Sequence, residues 1–383
     1  MVNNNNKERR YVESLTGLRG VAALFVFIFH YGSLNPGIRL DLSIPVIGPA
    51  LQFPLGFGFA GVDLFFVLSG FLLTLPFARF ALAGEKHPSL GRYYKRRLLR
   101  VFPAYYAQLI IILVAGAWFV TWKPLDGVSL LAHLLMFFNM GWQQVRPMVG
   151  LWWTLPVEFL FYLVLPAAAL FLRPRRWIVF LPACVLLSIL YRYWSAAHLG
   201  TVTPAGVFLL ASQLPGSLPE FFLGATAALI VQWFDIKAIP KPPDWLLETL
   251  FLLGVVLTVM WLWNVLLPNV SSYWRGHWSM LIAPSVLGIP LSLMVISLYW
   301  GSRLGRILFA NPVIYYLGLV SYSLYLWHFV VLQQIPVVLG ETDTQLSGLS
   351  RFLVSTAVVV LVSSASYFLF ERPFFRLRQK TRQ

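Results

Sequence analysis

The 383-residue sequence predicts an all-α, polytopic membrane protein with about ten transmembrane helices and both termini in the cytoplasm. Three observations carry that reading. Hydrophobic residues make up 58% of the chain and charged ones 11%, where a soluble domain carries roughly 25% charged residues, and mean hydropathy is +0.73. Apolar runs long enough for a hydrocarbon core of about 30 Å, which takes about 20 helical residues, recur ten times. Lys and Arg gather on alternate connecting loops.

The opening stretch MVNNNNKERR lacks the charged-then-apolar order of a cleaved signal peptide, so residues 1–12 are expected to remain as a disordered cytoplasmic segment. A single ten-helix membrane domain is expected over 13–376. Its spans fall near 17–34, 59–82, 101–122, 152–172, 177–195, 204–234, 244–267, 278–300, 312–338 and 351–370. The fourth opens with LWW, aromatic residues suited to an interfacial anchor. The shorter SLLAHLLMFFNM at 129–140 reads as interfacial or re-entrant. Residues 377–383 form a basic cytoplasmic tail. Nothing repeats at a fixed period, and no polar stretch is long enough for a second folded domain.

With the N-terminus inside, ten spans return the C-terminus to the same side. The inner segments around 7–10, 86–100, 173–176, 237–241, 303–306 and 372–382 then hold twenty-one of the 29 Lys and Arg residues. The opposite side holds five, Arg39, Lys123, Arg146, Arg275 and Arg351; Arg19, Arg79 and Arg192 fall in or at the ends of spans. This asymmetry explains most of the net charge of +15, so the expected partner is the bilayer and not nucleic acid. The one cysteine, Cys184 in FLPACVLLSIL, excludes an internal disulfide or a cysteine-based metal site and reads as a small core residue. No metal is expected.

The first span, GLRGVAALFVFIFHYG, carries Arg19 near one end and His30 near the other. Eleven residues turn through about 1100°, about 20° past three full turns, so the two share one helix face about 16 Å apart. Ala22, Ala23 and Val26 lie between them and leave room for something thin along the helix. Snorkelling to the headgroups explains Arg19 alone equally well. An ionisable residue deeper in a span is costly, which favours a functional His30.

Other spans repeat the pattern. Thr154, Glu158 and Tyr162 stand at i, i+4 and i+8, with Glu158 expected in the outer half, level with His30. Ser321, Tyr325 and His328 stand at i, i+4 and i+7 and form one polar stripe. Asp63 and Ser69 are six apart, about 120° in direction, so they do not act from one face. Hydrogen bonding between helices accounts for Ser69 and suits Ser321; a lone carboxylate in a span, Glu158, points to function. In YYKRRLLRVFPAYY, Lys95, Arg96, Arg97 and Arg100 precede a span. An ordinary positive-inside anchor explains the cluster, but Arg96 and Arg100 share a face and, with Arg19, suit a phosphate clamp.

These stretches resemble the acyltransferase 3 family of membrane O-acyltransferases. GLRGVAALFVFIFHY is similar to its Arg-x10-His signature, and GVDLFFVLSGF, RRLLRVFPAYY, LWWTLPVEFLFY, NPVIYYLGLVSYSLYLWH and ERPFFR follow in the family's order from about residue 13 to 376. The resemblance implies a ten-helix enzyme of a bacterial inner membrane, in the form without a fused hydrolase-like domain. Its donor is an acyl-CoA, with acetyl-CoA expected, and its acceptor a hydroxyl of a sugar, glycan or other small molecule. It assigns His30 to catalysis and Arg19, Arg96, Arg97 and Arg100 to the donor. Glu158 matches the family's acidic position. Two departures stand out: Thr154 replaces a common Ser, and Ser217, three before the acidic Glu220, replaces a common Arg.

Chemistry and geometry agree with that implication. Acyl-CoA has a phosphate-rich head and a long thin arm, matching a basic cluster and a histidine several turns away. A neutral His30 would take a proton from the acceptor hydroxyl, with Glu158 or Asp63 holding its tautomer as a carboxylate does in a hydrolase triad. An acylated His30 is the other route. No cofactor is bound permanently. The alternative from another class is a secondary transporter using buried Arg, His and Glu, but the paired halves such folds usually show are missing.

Overall fold

The computed structural model describes residues 2–35, 56–116, 125–139, 145–173, 175–198, 203–339 and 348–375. Among these, every regular element is helical: α1 (Val2–Leu34), α2 (Ala60–Ala83), α3 (Leu90–Val114), α4 (Gly127–Leu134), α5 (Thr154–Ala168), α6 (Trp177–Ala196), α7 (Pro204–Ala211), α8 (Leu214–Ile236), α9 (Asp244–Trp261), α10 (Val270–Tyr273), α11 (Trp278–Trp300), α12 (Arg303–Phe309), α13 (Pro312–Leu319), α14 (Ser321–Leu339) and α15 (Gly348–Ser366). Nine described stretches are long and apolar enough to cross a bilayer, and α13 with α14 makes a tenth if the pair is one span bent by 76°. The chain is a multi-pass helical membrane protein.

The helices depart from the hydropathy pattern where local chemistry overrides it. The backbone of α1 is helical from Val2, inside the stretch expected to be disordered, because extending a formed helix by one residue costs far less than nucleating one. The expected span 204–234 is two helices. Gln213 is extended and Pro215 enters the first turn of α8, where proline's missing N–H is no loss. The segment at 129–140 does not cross: α4 ends at Leu134, Met136 and Asn139 take positive φ of 54° and 55°, and His133 accepts from the Met148 N–H at 3.0 Å. The 377–383 tail lies outside the described residues.

Close helix crossings set the frame of the site. A Cβ on Gly70 would lie 1.9 Å from the Phe221 carbonyl oxygen, and one on Gly224 would lie 2.0 Å from that of Val67, so α2 and α8 touch backbone to backbone through reciprocal glycines. At the corner between α13 and α14, a Cβ on Gly318 would sit 1.9 Å from the Thr16 carbonyl oxygen, which seats the bend against α1 just before Arg19. Buried Gln108 on α3 donates to the Leu326 carbonyl of α14 at 2.7 Å and accepts from Trp152 Nε1 at 3.0 Å. That side chain ties three elements around one space.

Candidate active site

The space is a pocket between α1, α2, α3, α5 and α14. The sequence patterns explain which side chains reach it. On α2, residues 62, 65, 66, 69 and 72 face inward, so Ser69 lines the cavity. Asp63 shares the opposite face with Val67 and Gly70, which is pressed against α8. On α3, Arg97 and Arg100 line the wall, one helical turn apart. Arg96 does not reach it and donates through Nε to the Arg92 carbonyl at 3.2 Å, because its direction is about 100° away from that of Arg97. The expected Arg96–Arg100 face is therefore an Arg97–Arg100 face.

Arg19 lines the same cavity, so α1 and α3 together bring three guanidinium groups to it. Two carboxylates stand among them. Glu158 on α5 accepts from Ser69 Oγ at 2.9 Å and hydrogen-bonds Tyr162, both residues being cavity walls. Buried Glu371, on a π-helical turn at Tyr367–Glu371, accepts from Ser323 Oγ and lies in electrostatic range of Arg19 and Arg100. Three guanidinium groups thus stand near two carboxyl groups, and Arg97 Nε is buried with no hydrogen-bond partner. An unpaired guanidinium N–H next to a void is costly unless something anionic completes it. Ser321 Oγ, another cavity group, is likewise buried without a partner.

Glu158 was expected level with His30, but it meets the arginines. The helix that carries it starts at Thr154, after a turn at Gly150–Trp153 in which Leu151 and Trp152 are buried. The histidines lie beyond the cavity wall. Tyr325, which lines it, donates to the Leu151 carbonyl at 2.7 Å, hydrogen-bonds Thr154 at 2.8 Å and packs its ring 6.0 Å from that of His328. Fully buried His328 stands against His30, with Nε2 of the first 3.4 Å from Nδ1 of the second. Each Nδ1 also lies within hydrogen-bonding distance of the carbonyl four residues back, at 2.8 Å from Val26 O and 2.9 Å from Leu324 O. Ala22, Ala23 and Val26 are buried, and the Gly61 backbone of α2 closes over the Ala22 carbonyl. The small residues between Arg19 and His30 admit a helix, not an open groove.

Asp63 and Glu220 form a separate cluster with Arg192 of α6. The two carboxyl groups lie within interaction range of each other, and Glu220 Oε2 is buried with no hydrogen-bond partner. Buried Arg192 donates from Nε to the Gly216 carbonyl at 2.8 Å and from Nη1 to that of Met280 at 2.9 Å, while Ser217 Oγ reaches only the Ser212 carbonyl at 3.4 Å. The cation near Glu220 therefore comes from another helix.

A family model described as an acyltransferase domain matches residues 12–368. The chain belongs to the acyltransferase 3 family. It is 26% identical to the peptidoglycan O-acetyltransferase OatA of Listeria monocytogenes over 389 residues, 95% of this chain and 56% of that protein. It is also 26% identical to the O-acetyltransferase OatA of Staphylococcus aureus over 393 residues, 95% of this chain and 57% of that protein. The chain thus spans a little over half the length of these curated relatives. No solved structure matches it.

Within this acyltransferase domain, three polar groups are prominent in the structure that sequence spacing did not single out. Arg192 carried a signal, since an arginine inside an apolar span is rare. Glu371 carried a weaker one, lying at the end of its span among ordinary tail charges. Tyr322, a cavity wall whose hydroxyl donates to the Val101 carbonyl at 2.9 Å, carried none, because an aromatic residue in a span is unremarkable in sequence.

Proposed function

We propose that the chain is a membrane O-acyltransferase that moves an acyl group, acetyl in the first instance, from acyl-CoA to a hydroxyl of a carbohydrate acceptor. The observation that carries the reading is the pocket with Arg19, Arg97 and Arg100 in its walls and an unpartnered Arg97 Nε. A phosphate group completes such a site with charge-assisted hydrogen bonds. Family membership supports acyl transfer, and the names of the relatives support O-acetylation of a glycan.

In this reading the positive-inside asymmetry puts the arginine end in the cytoplasm, where acyl-CoA is made. The donor head occupies the arginine cavity and its arm extends past Tyr325 toward the histidines. His30 is the base. Its Nδ1 hydrogen is directed to the Val26 carbonyl, a group that only accepts, which leaves Nε2 with the free lone pair. Nε2 takes the acceptor hydroxyl's proton while the oxygen forms a bond to the thioester carbonyl carbon. Collapse of the tetrahedral adduct breaks the C–S bond, and the leaving thiolate takes the proton from His30. Donor and acceptor are then bound together, and a labelled acyl group trapped on His30 after incubation with donor alone would replace the base by a covalent carrier.

Membranes containing the protein, incubated with acetyl-CoA labelled in the acetyl group, test the whole reading. Label is expected in an ester on an extracted glycan or small hydroxylated molecule, and absent with the His30→Ala variant. Solute movement without any labelled ester would return the protein to the transporter class.

A further inference from the structure

We propose that His328 is the positioning residue of His30: its Nε2 accepts, together with the Val26 carbonyl, the hydrogen on His30 Nδ1, so a neutral imidazole fills the place that a carboxylate holds in a hydrolase triad. The proposal rests on the reading of His30 as the base.

The argument starts from what a carbonyl can do. A backbone oxygen only accepts, so the nitrogen beside it must be the protonated one. The Leu324 carbonyl at 2.9 Å fixes the hydrogen of His328 on Nδ1, and the Val26 carbonyl at 2.8 Å fixes that of His30 on Nδ1. The nitrogen of His328 that faces His30 is therefore the bare Nε2, and it lies 3.4 Å from the nitrogen that carries a hydrogen. Donor faces acceptor, and only in that sense. The bond to Val26 is the shorter, so His328 is the second acceptor of a forked hydrogen bond.

The pairing is held from all sides. His328 is fully buried, with the Phe27 ring edge-on at 6.4 Å and the Tyr325 ring at 6.0 Å. His30 is flanked by Phe29 at 5.1 Å and Phe329 at 5.4 Å, both edge-on. The carboxylates that sequence spacing offered for this role are engaged elsewhere, Glu158 with Ser69 and Tyr162, and Asp63 with Glu220. When Nε2 of His30 takes a proton the ring becomes cationic and its N–H bonds strengthen. A neutral acceptor delivers that support without adding a negative charge beside an anionic donor and a developing oxyanion.

Steady-state kinetics of three variants in membranes or detergent tests this. His328→Phe keeps a ring of similar size and removes the acceptor. It is expected to lower kcat about 10- to 100-fold, the range for one hydrogen bond to a charged group, with KM for acetyl-CoA within about twofold. His328→Gln, whose side chain presents an oxygen near the position of Nε2, is expected to recover at least about tenfold of that loss. His328→Asn, too short to reach His30, is expected to behave like His328→Phe and answers the question if the Phe variant fails to accumulate. A merely structural His328 would make Gln the worse replacement and Phe the better one, which would overturn the proposal. So would normal kcat in both Phe and Asn variants, or complete loss in all three. The His30→Ala variant, run alongside, separates the two readings. Activity retained there removes His30 as the base. Activity lost there but normal in His328→Phe removes only the positioning role.

Discussion

The two faces of α2 carry polar residues into the bundle, and they end in different chemistry. On one face Ser69 meets Glu158 in a cavity that also holds Arg19, Arg97 and Arg100. On the other, Asp63 meets Glu220 beside Arg192, packed where α2 and α8 cross at Gly70 and Gly224. Both clusters pair carboxyl groups with arginine inside a membrane protein, so composition does not distinguish them. What distinguishes them is the state of the guanidinium donors. Arg192 uses Nε and Nη1 on the carbonyls of Gly216 and Met280 and pins α6 to α8 and α11. Arg97 has a buried Nε with nothing to bond. The Arg192 guanidinium is satisfied by backbone carbonyls, while Arg97 keeps an unpartnered donor.

If that contrast is right, damage on the cavity side leaves the protein folded and inactive, while damage on the closed side removes folded protein and spares the kinetics of what survives. The largest effect is expected at the end of the cavity route. His30→Ala should lower kcat by about 10²- to 10⁴-fold, the usual worth of a positioned base, with expression and membrane insertion unchanged, because α1 keeps its apolar length. Initial rates with labelled acetyl-CoA, beside quantified protein, check both halves. Near-normal turnover would make His30 a packing residue.

Next comes the closed cluster. Arg192→Ala takes the cation away from Asp63 and Glu220 and removes the donor to the Met280 carbonyl and one of the two donors to that of Gly216. A buried hydrogen bond from a charged donor is worth about 1.5–3 kcal/mol, and Arg192 makes two, so a lower melting temperature and lower yield in detergent are expected. KM for acetyl-CoA in the surviving fraction should stay within about twofold. A selective rise in KM at unchanged stability would move Arg192 into the donor site and erase the contrast.

How much of this was legible in the sequence follows from what each pattern can encode. The ten expected spans, of which the described residues carry nine plus a bent pair, follow from the cost of leaving backbone polar groups unbonded in hydrocarbon, so hydropathy is a direct readout. Spacing within one helix was also reliable: the directions of Asp63 and Ser69 differ as counted, and Ser69 lines the cavity while Asp63 does not. Depth and partnership were not legible. Glu158 lines the same pocket as Arg19, Arg97 and Arg100, a partnership across three helices that spacing along one helix does not encode. The contact between His30 and His328 joins residues 298 apart in sequence, and no periodicity relates them. In the proposed arrangement an imidazole from another helix takes the orienting role that spacing offers to Glu158 or Asp63.

A third effect, smaller again, separates the arginines by function. Arg97→Ala removes the guanidinium whose Nε is unpartnered, and a charge-assisted contact to phosphate is worth roughly 1.5–3 kcal/mol. A rise of about tenfold or more in KM for acetyl-CoA is expected, with a smaller change in KM for the acceptor. Equal weakening toward both substrates would mean that Arg97 only anchors the start of α3.

The smallest expected effect is the most discriminating for geometry. Arg96 neighbours Arg97 in sequence, has the same charge, and on spacing alone is the better partner for Arg100. In the structure it stands outside the cavity and returns its Nε to the Arg92 carbonyl of its own helix. If general positive charge draws the donor in, Arg96→Ala and Arg97→Ala should weaken donor binding alike, and the loss should be screened by salt. If the donor is gripped by groups that face the cavity, Arg96→Ala should change KM for acetyl-CoA by less than about twofold, as for a solvated surface charge. Measuring the two variants side by side at about 50 mM and 300 mM salt separates these cases. A loss with Arg96→Ala that matches Arg97→Ala at low salt and vanishes at high salt would reduce the arginine cavity to an electrostatic funnel. A loss confined to Arg97→Ala at both salt concentrations would establish it as a binding site with a defined wall.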